Sequence, residues 1–103
     1  MDKTQAINVA NKYVDLLKDK YTIKSAILFG SYAKGTQHPE SDIDIAIVLT
    51  HSYDIIDTQI EFMKLRRKID LRIEPHPFND EDFNLNNPVV DEILKYGINL
   101  QVA

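Results

Sequence analysis

Apolar residues recur at Ala6, Val9, Ala10, Tyr13, Leu16 and Leu17, with lysines and aspartates between them. That spacing lays one apolar stripe along a helix and predicts an amphipathic α-helix over residues 3–20. "IKSAILF" (23–29) reads as a strand closing at Gly30. "DIDIAIVLT" (42–50) reads as a second strand, apolar at nearly every position after Asp44, as expected for burial on both faces. Helical spacing returns over 53–67, with Tyr53, Ile56, Ile60 and Met63 on one stripe. "KIDLRIE" (68–74) alternates: Ile69, Leu71 and Ile73 face one way and Asp70, Arg72 and Glu74 the other. It predicts a third strand, ended by Pro75 and Pro77. "NDEDF" begins a short helical turn, and "PVVDEILKYG" (88–97) reads as a helix with Pro88 first and Gly97 as its C-terminal cap. "INLQV" is a candidate last strand. The order α-β-turn-β-α-β-α-β predicts a small α/β (α+β) domain with a central mixed sheet flanked by helices.

Composition narrows the setting. Hydrophobic residues at 44% and charged residues at 27% are ordinary for a globular chain, and 103 residues suit one domain over 1–103. No apolar run approaches the roughly 20 residues of a membrane span, and the N-terminus lacks a signal peptide's apolar region. The absence of cysteine removes disulfide and thiolate chemistry and suits a cytoplasmic protein. A net charge of −4 and a pI near 5.2 argue against non-specific nucleic-acid binding. The one dense basic run, Lys64, Arg66, Arg67 and Lys68, reads as a solvated helix end.

Only "LFGSYAKGTQHPESDIDIAIV" (28–48) is chemically unusual. Asp42 and Asp44 project from one face of a strand, with Cα atoms about 6–7 Å apart. Carboxylates held that close either share a proton or hold a divalent cation. Oxygen donors without cysteine point to Mg²⁺ or Mn²⁺ rather than zinc. Upstream, Gly30 permits close backbone approach, and Ser31 brings a hydroxyl and an N–H where a helical turn would start, which favours an anion. Ordinary turn chemistry explains either glycine of "GSYAKG" taken alone. Together the anion turn and the carboxylate pair describe a site for a metal–nucleoside triphosphate. His38, His51 and His76 are read as turn and surface residues.

Two-metal phosphoryl transfer also needs a carboxylate to help bridge the ions and orient the attacking hydroxyl. Asp70 is the candidate, on the polar face of the predicted third strand; its alternative is a solvent-facing residue paired with a nearby Lys or Arg. Glu74 lies about 13 Å further along that strand, too far to join the same ion pair. Arg72 between them could neutralise either one or contact a phosphate.

Gly30-Ser31, ten intervening residues, then Asp42-Ile43-Asp44 and an apolar strand resembles the polymerase-β-like nucleotidyltransferases, more specifically the minimal nucleotidyltransferase group. The strong part of the resemblance covers residues 26–48, and Asp70 in "IDLRI" extends it. It implies transfer of NMP from an NTP, with ATP the expected donor, to an acceptor hydroxyl, releasing pyrophosphate. Asp42 and Asp44 would hold two Mg²⁺ ions, and Asp70 would bind the catalytic ion and orient or deprotonate the hydroxyl. Gly30 and Ser31 would cradle the β- and γ-phosphates; Lys34 falls where relatives carry Arg or Lys.

The resemblance further implies an antitoxin that adenylylates a HEPN-domain toxin on tyrosine or neutralises it by binding. An acceptor supplied by a partner protein follows, since there is no room for an acceptor-binding domain and the acidic balance disfavours RNA. The competing expectation is a binding module of negligible turnover that works by complex formation. Homo-oligomerisation is left open.

Overall fold

The computed structural model describes residues 1–102, and the elements follow the expected order. Helix α1 spans Lys3–Leu17 and starts at a capping box, in which the Asp2 carboxylate accepts from the Gln5 N–H while the Gln5 side chain accepts from the Asp2 N–H. Strand β1 (Ile23–Phe29), the one-turn helix α2 (Ser31–Lys34) and strand β2 (Ile43–Leu49) follow. Helix α3 (Ile55–Leu65) runs into a 3-10 turn at Arg66–Lys68. Strand β3 (Ile73–Asn79), helix α4 (Pro88–Tyr96) and the short β4 (Ile98–Asn99) complete the order.

The four strands form one mixed sheet in the order β3-β2-β1-β4. β1 is antiparallel to β2 and β4, whereas β3 runs parallel to β2. Side-chain alternation gives the sheet two different faces. On one, Ala26, Leu28, Ile43, Ile45, Ile47, Leu49 and Ile73 pack with Ala6, Ala10, Tyr13, Val14 and Leu17 of α1 and Phe62 and Leu65 of α3. On the other, Ile27 and Ala46 meet Ile93 of α4, edged by Phe29, Phe78 and Phe83. Every residue of β2 except Asp44 is buried, as a strand covered on both faces requires.

Two expectations are corrected. The stripe read on the second long helix turns outward at its centre: Ile56 is 74% and Ile60 51% exposed, while Tyr53 packs against the core from ahead of the helix and Thr58, Phe62 and Leu65 are buried. Burying Thr58 is inexpensive because its hydroxyl donates to the Asp54 carbonyl at 2.7 Å. Phe62 is then drawn inward, and its carbonyl accepts from the buried Tyr13 hydroxyl at 2.7 Å.

The third strand lies five residues later than 68–74, at Ile73–Asn79, and contains the two prolines expected to end it. β3 is an edge strand. The Arg72 carbonyl accepts from the Ile43 N–H at 2.9 Å, so the even-numbered residues point their backbone groups at β2 and the odd-numbered ones outward. Pro75 and Pro77 therefore lack N–H groups only where no strand needs them. The outward carbonyls of Ile73 and Pro75 accept instead from Arg66 at 2.9 Å and Gln59 at 3.1 Å.

Candidate active site

The end of β1, the turn after it and the starts of β2 and β3 lie together at one end of the sheet. Register pairs Asp44 with Phe29 on one side and with Glu74 on the other. Asp44 thus shares the α4-facing side of the sheet with Phe29, Glu74 and His76. Asp42, just ahead of β2, is exposed.

Gly30 has φ +77° and ψ −152°, a backbone region that essentially only glycine occupies. A Cβ there would lie 2.4 Å from Asp44 Oδ2. Both features require glycine, and both follow from one fact: the turn leaves β1 directly against the carboxylate opposite. The chain then forms α2, with Tyr32 fully buried beneath it, and Gly35 closes that turn in the left-handed conformation. Lys34 is bound to Glu92 of α4 and lies 5.0 Å above the Tyr96 ring. The Glu92 carboxylate beside it pushes the Lys34 ammonium's pKa up.

Asp70 does not sit in a strand. Its carboxylate accepts from the Arg72 N–H at 2.9 Å, an Asx turn, and binds the Arg72 guanidinium through both oxygens, at 2.9 and 2.6 Å. That guanidinium holds the Asp70 carboxyl below the usual carboxylate range. The Asx turn explains why strand pairing starts only at Ile73. Glu74, set aside as too far along the strand from Asp70, is the register partner of Asp44. Glu74 is itself paired with Arg66 at 3.3 Å. Arg66, with its side chain only 22% exposed, is no solvated helix end.

His76 also departs from its expected surface role: its Nε2 lies 3.1 Å from Asp44 Oδ1 and its ring meets Phe29 edge-on at 5.0 Å. Its flanks gave no signal for this: prolines two apart on an edge strand aim the backbone groups of His76 at β2 but do not say what its side chain meets.

Among the described residues no group of three or more His, Cys, Asp or Glu side chains is close enough to hold a metal ion. Asp70, Glu74 and Asp44 are each engaged by a neighbouring side chain. The donors nonetheless fit a hard divalent cation. They are carboxylates at one end of the sheet, and the missing Gly30 side chain leaves Asp44 Oδ2 facing the Gly30–Ser31 turn.

Comparison with known proteins agrees with this geometry. Residues 11–100 match the family model described as polymerase beta, nucleotidyltransferase. The chain belongs to that nucleotidyltransferase family. A Methanocaldococcus jannaschii protein provisionally assigned as a protein adenylyltransferase is 42% identical over 62 residues, which cover 59% of this chain and 62% of the relative. Protein adenylyltransferase MntA of Shewanella oneidensis is 38% identical over 65 residues, covering 62% of this chain and 47% of MntA. The chain thus matches less than two thirds of the length of either relative. A second M. jannaschii protein with the same provisional assignment is 31% identical over 81% of this chain and 82% of its own length. Among solved structures, a toxin–antitoxin with AMP-PNP superposes with a TM-score of 0.69 at 30% identity, covering 91% of this chain and 73% of that one. A mutant MntA-HpeT toxin–antitoxin gives 0.66 at 28%, covering 90% and 72%.

Proposed function

We propose that this protein is a Mg²⁺-dependent adenylyltransferase that modifies a hydroxyl of a partner protein, a HEPN-type toxin, and so acts as its antitoxin. The observation that carries the reading is the contact of Gly30 with Asp44. It sets an anion-binding turn against a cation-binding carboxylate, as a metal–triphosphate substrate demands. Likeness to a toxin–antitoxin with AMP-PNP and to a protein adenylyltransferase supports ATP as donor and a protein as acceptor.

In this reading the Ser31 N–H and hydroxyl receive the β- and γ-phosphates, with Lys34 released from Glu92 to join them. Asp42 and Asp44 would hold the divalent ions, with Asp70 as third carboxylate and Glu74 as its alternative. Bound Mg²⁺ supplies charge neutralisation of the triphosphate. The acceptor hydroxyl oxygen attacks the α-phosphorus, the bond from that phosphorus to the bridging oxygen of the β-phosphate breaks, and pyrophosphate leaves. The hydroxyl proton passes to a carboxylate oxygen of the third acidic residue.

The test is transfer of label from α-labelled ATP to the product of any adjacent HEPN-type gene, with Mg²⁺, by wild type and by the Asp42→Asn, Asp44→Asn double variant. Labelling by wild type, and its loss together with loss of neutralisation in the variant, is expected. A double variant that neutralises as well as wild type would establish the complex-forming reading instead.

A further inference from the structure

We infer that His76 is a positioning residue for Asp44, holding the carboxylate so that Oδ2 is the oxygen offered to a bound divalent ion. The inference rests on the metal-binding reading above. Asp44 Oδ1 lies 3.1 Å from His76 Nε2. An ionised carboxylate only accepts, so Nε2 carries the hydrogen and donates it. Oδ2 lies on the other side, over Gly30, in the space a Cβ would fill. The two oxygens therefore have separate tasks: Oδ1 is taken by His76, and Oδ2 faces the anion-binding turn.

The fold explains why the imidazole reaches. His76 is the register partner of Ala46, one pleat beyond the Glu74–Asp44 pair on the same face. Ala46 is too small to fill the space opposite His76, and a diagonal neighbour on a paired strand is within reach of a long side chain. Phe29, beside Asp44 on β1, braces the ring edge-on at 5.0 Å. The side chains of Asp44 and His76 are 27% and 40% exposed, so the bond is partly sheltered from water. A donor fixing a ligating carboxylate is the usual outer-sphere arrangement of metal sites.

The experiment measures Mn²⁺ affinity of the full chain by electron paramagnetic resonance and calorimetry, without nucleotide or turnover. His76→Ala and His76→Asn are expected to weaken binding about 10–100-fold, whereas His76→Gln, whose amide nitrogen reaches the Nε2 position, stays within about threefold of wild type. With ATP present, the same variants raise the metal concentration for half-maximal rate more than they lower kcat. If wild type and Asp44→Asn bind Mn²⁺ alike, the metal reading fails and this inference with it. If Asp44→Asn abolishes binding but His76→Ala and His76→Asn match wild type, the positioning role alone is overturned. A ¹⁴N coupling to Mn²⁺ in wild type, lost in His76→Ala, overturns it too, by making His76 a direct ligand. Should His76→Ala fail to fold, the contrast between Asn and Gln decides.

Discussion

The Gly30–Asp44 half of the site and the Asp70–His76 half meet at one end of the sheet, yet they are assembled differently. The first half is a turn and a strand close in sequence, with β1 and β2 pairing antiparallel so that Phe29 falls opposite Asp44. The second arrives by a parallel crossover through α3, and each carboxylate comes with a cationic partner, Arg72 for Asp70 and Arg66 for Glu74. A short antiparallel connection fixes register locally, whereas a parallel edge strand takes its register from distant contacts. The contiguous half is therefore specified twice, by motif and by backbone, and the other half by packing.

The largest effect that would break this comparison concerns the third carboxylate. If Asp70 accepts the hydroxyl proton, Asp70→Asn lowers label transfer by about 10²–10⁴-fold, the range of a general-base contribution. Glu74→Gln should then cost far less, because its partner Arg66 retains the Ile73 carbonyl. Single-turnover transfer under saturating ATP and Mg²⁺ measures both. The reverse ranking would move the role to Glu74, whose place opposite Asp44 makes it the structural competitor.

Next in size is Gly30→Ala. At φ +77°, ψ −152° an alanine costs about 1–3 kcal/mol of backbone strain. Its Cβ, 2.4 Å from Asp44 Oδ2, must also displace the carboxylate. A ligand moved by about 1 Å costs on the order of 100-fold in rate. Transfer rate and thermal melting together check this. A variant that melts lower but transfers at the wild-type rate would show that the contact serves folding alone.

What could be read from the residues follows the same division. The approach of the Gly30 turn to Asp44 was legible because turn chemistry and the pairing of two strands joined by a short connection act over a short stretch of chain. The edge of β3 was not. Strict alternation over Ile69–Glu74 imitates a strand, but the Asp70 side chain closes a turn there. The prolines imitate a strand end, although an edge strand spends no hydrogen bond at Pro75 or Pro77. On α3, Ile56 and Ile60 outweigh Thr58 in hydropathy, and the inward stripe is marked by contacts distant in sequence, among them the Tyr13–Phe62 bond across 49 residues and the packing of Phe62 on Tyr21. His76 was hidden for a related reason: its significance lies in a neighbour on another strand, not in its own flanks.

The smallest predicted effect tests whether packing holds the second half. Arg66 comes from the turn after α3 and donates to the Ile73 carbonyl at 2.9 Å and to Glu74 at 3.3 Å. It thereby ties the first residues of β3 to the helix that delivers them. Arg66→Met keeps the aliphatic stem but strands a carbonyl on an edge where water can partly replace the donor. The expected cost is about 1–2 kcal/mol, below the full worth of a hydrogen bond from a charged group because water partly replaces the donor. In a chain of this size that lowers Tm by roughly 4–15 °C. Because Gly30 and Asp44 are held by β1 and β2, the same variant should leave Mn²⁺ binding close to wild type while the amides of β3 exchange faster than those of β2. Equal loss of protection in both strands would mean that the two halves are held as one unit, and the division between them would be wrong.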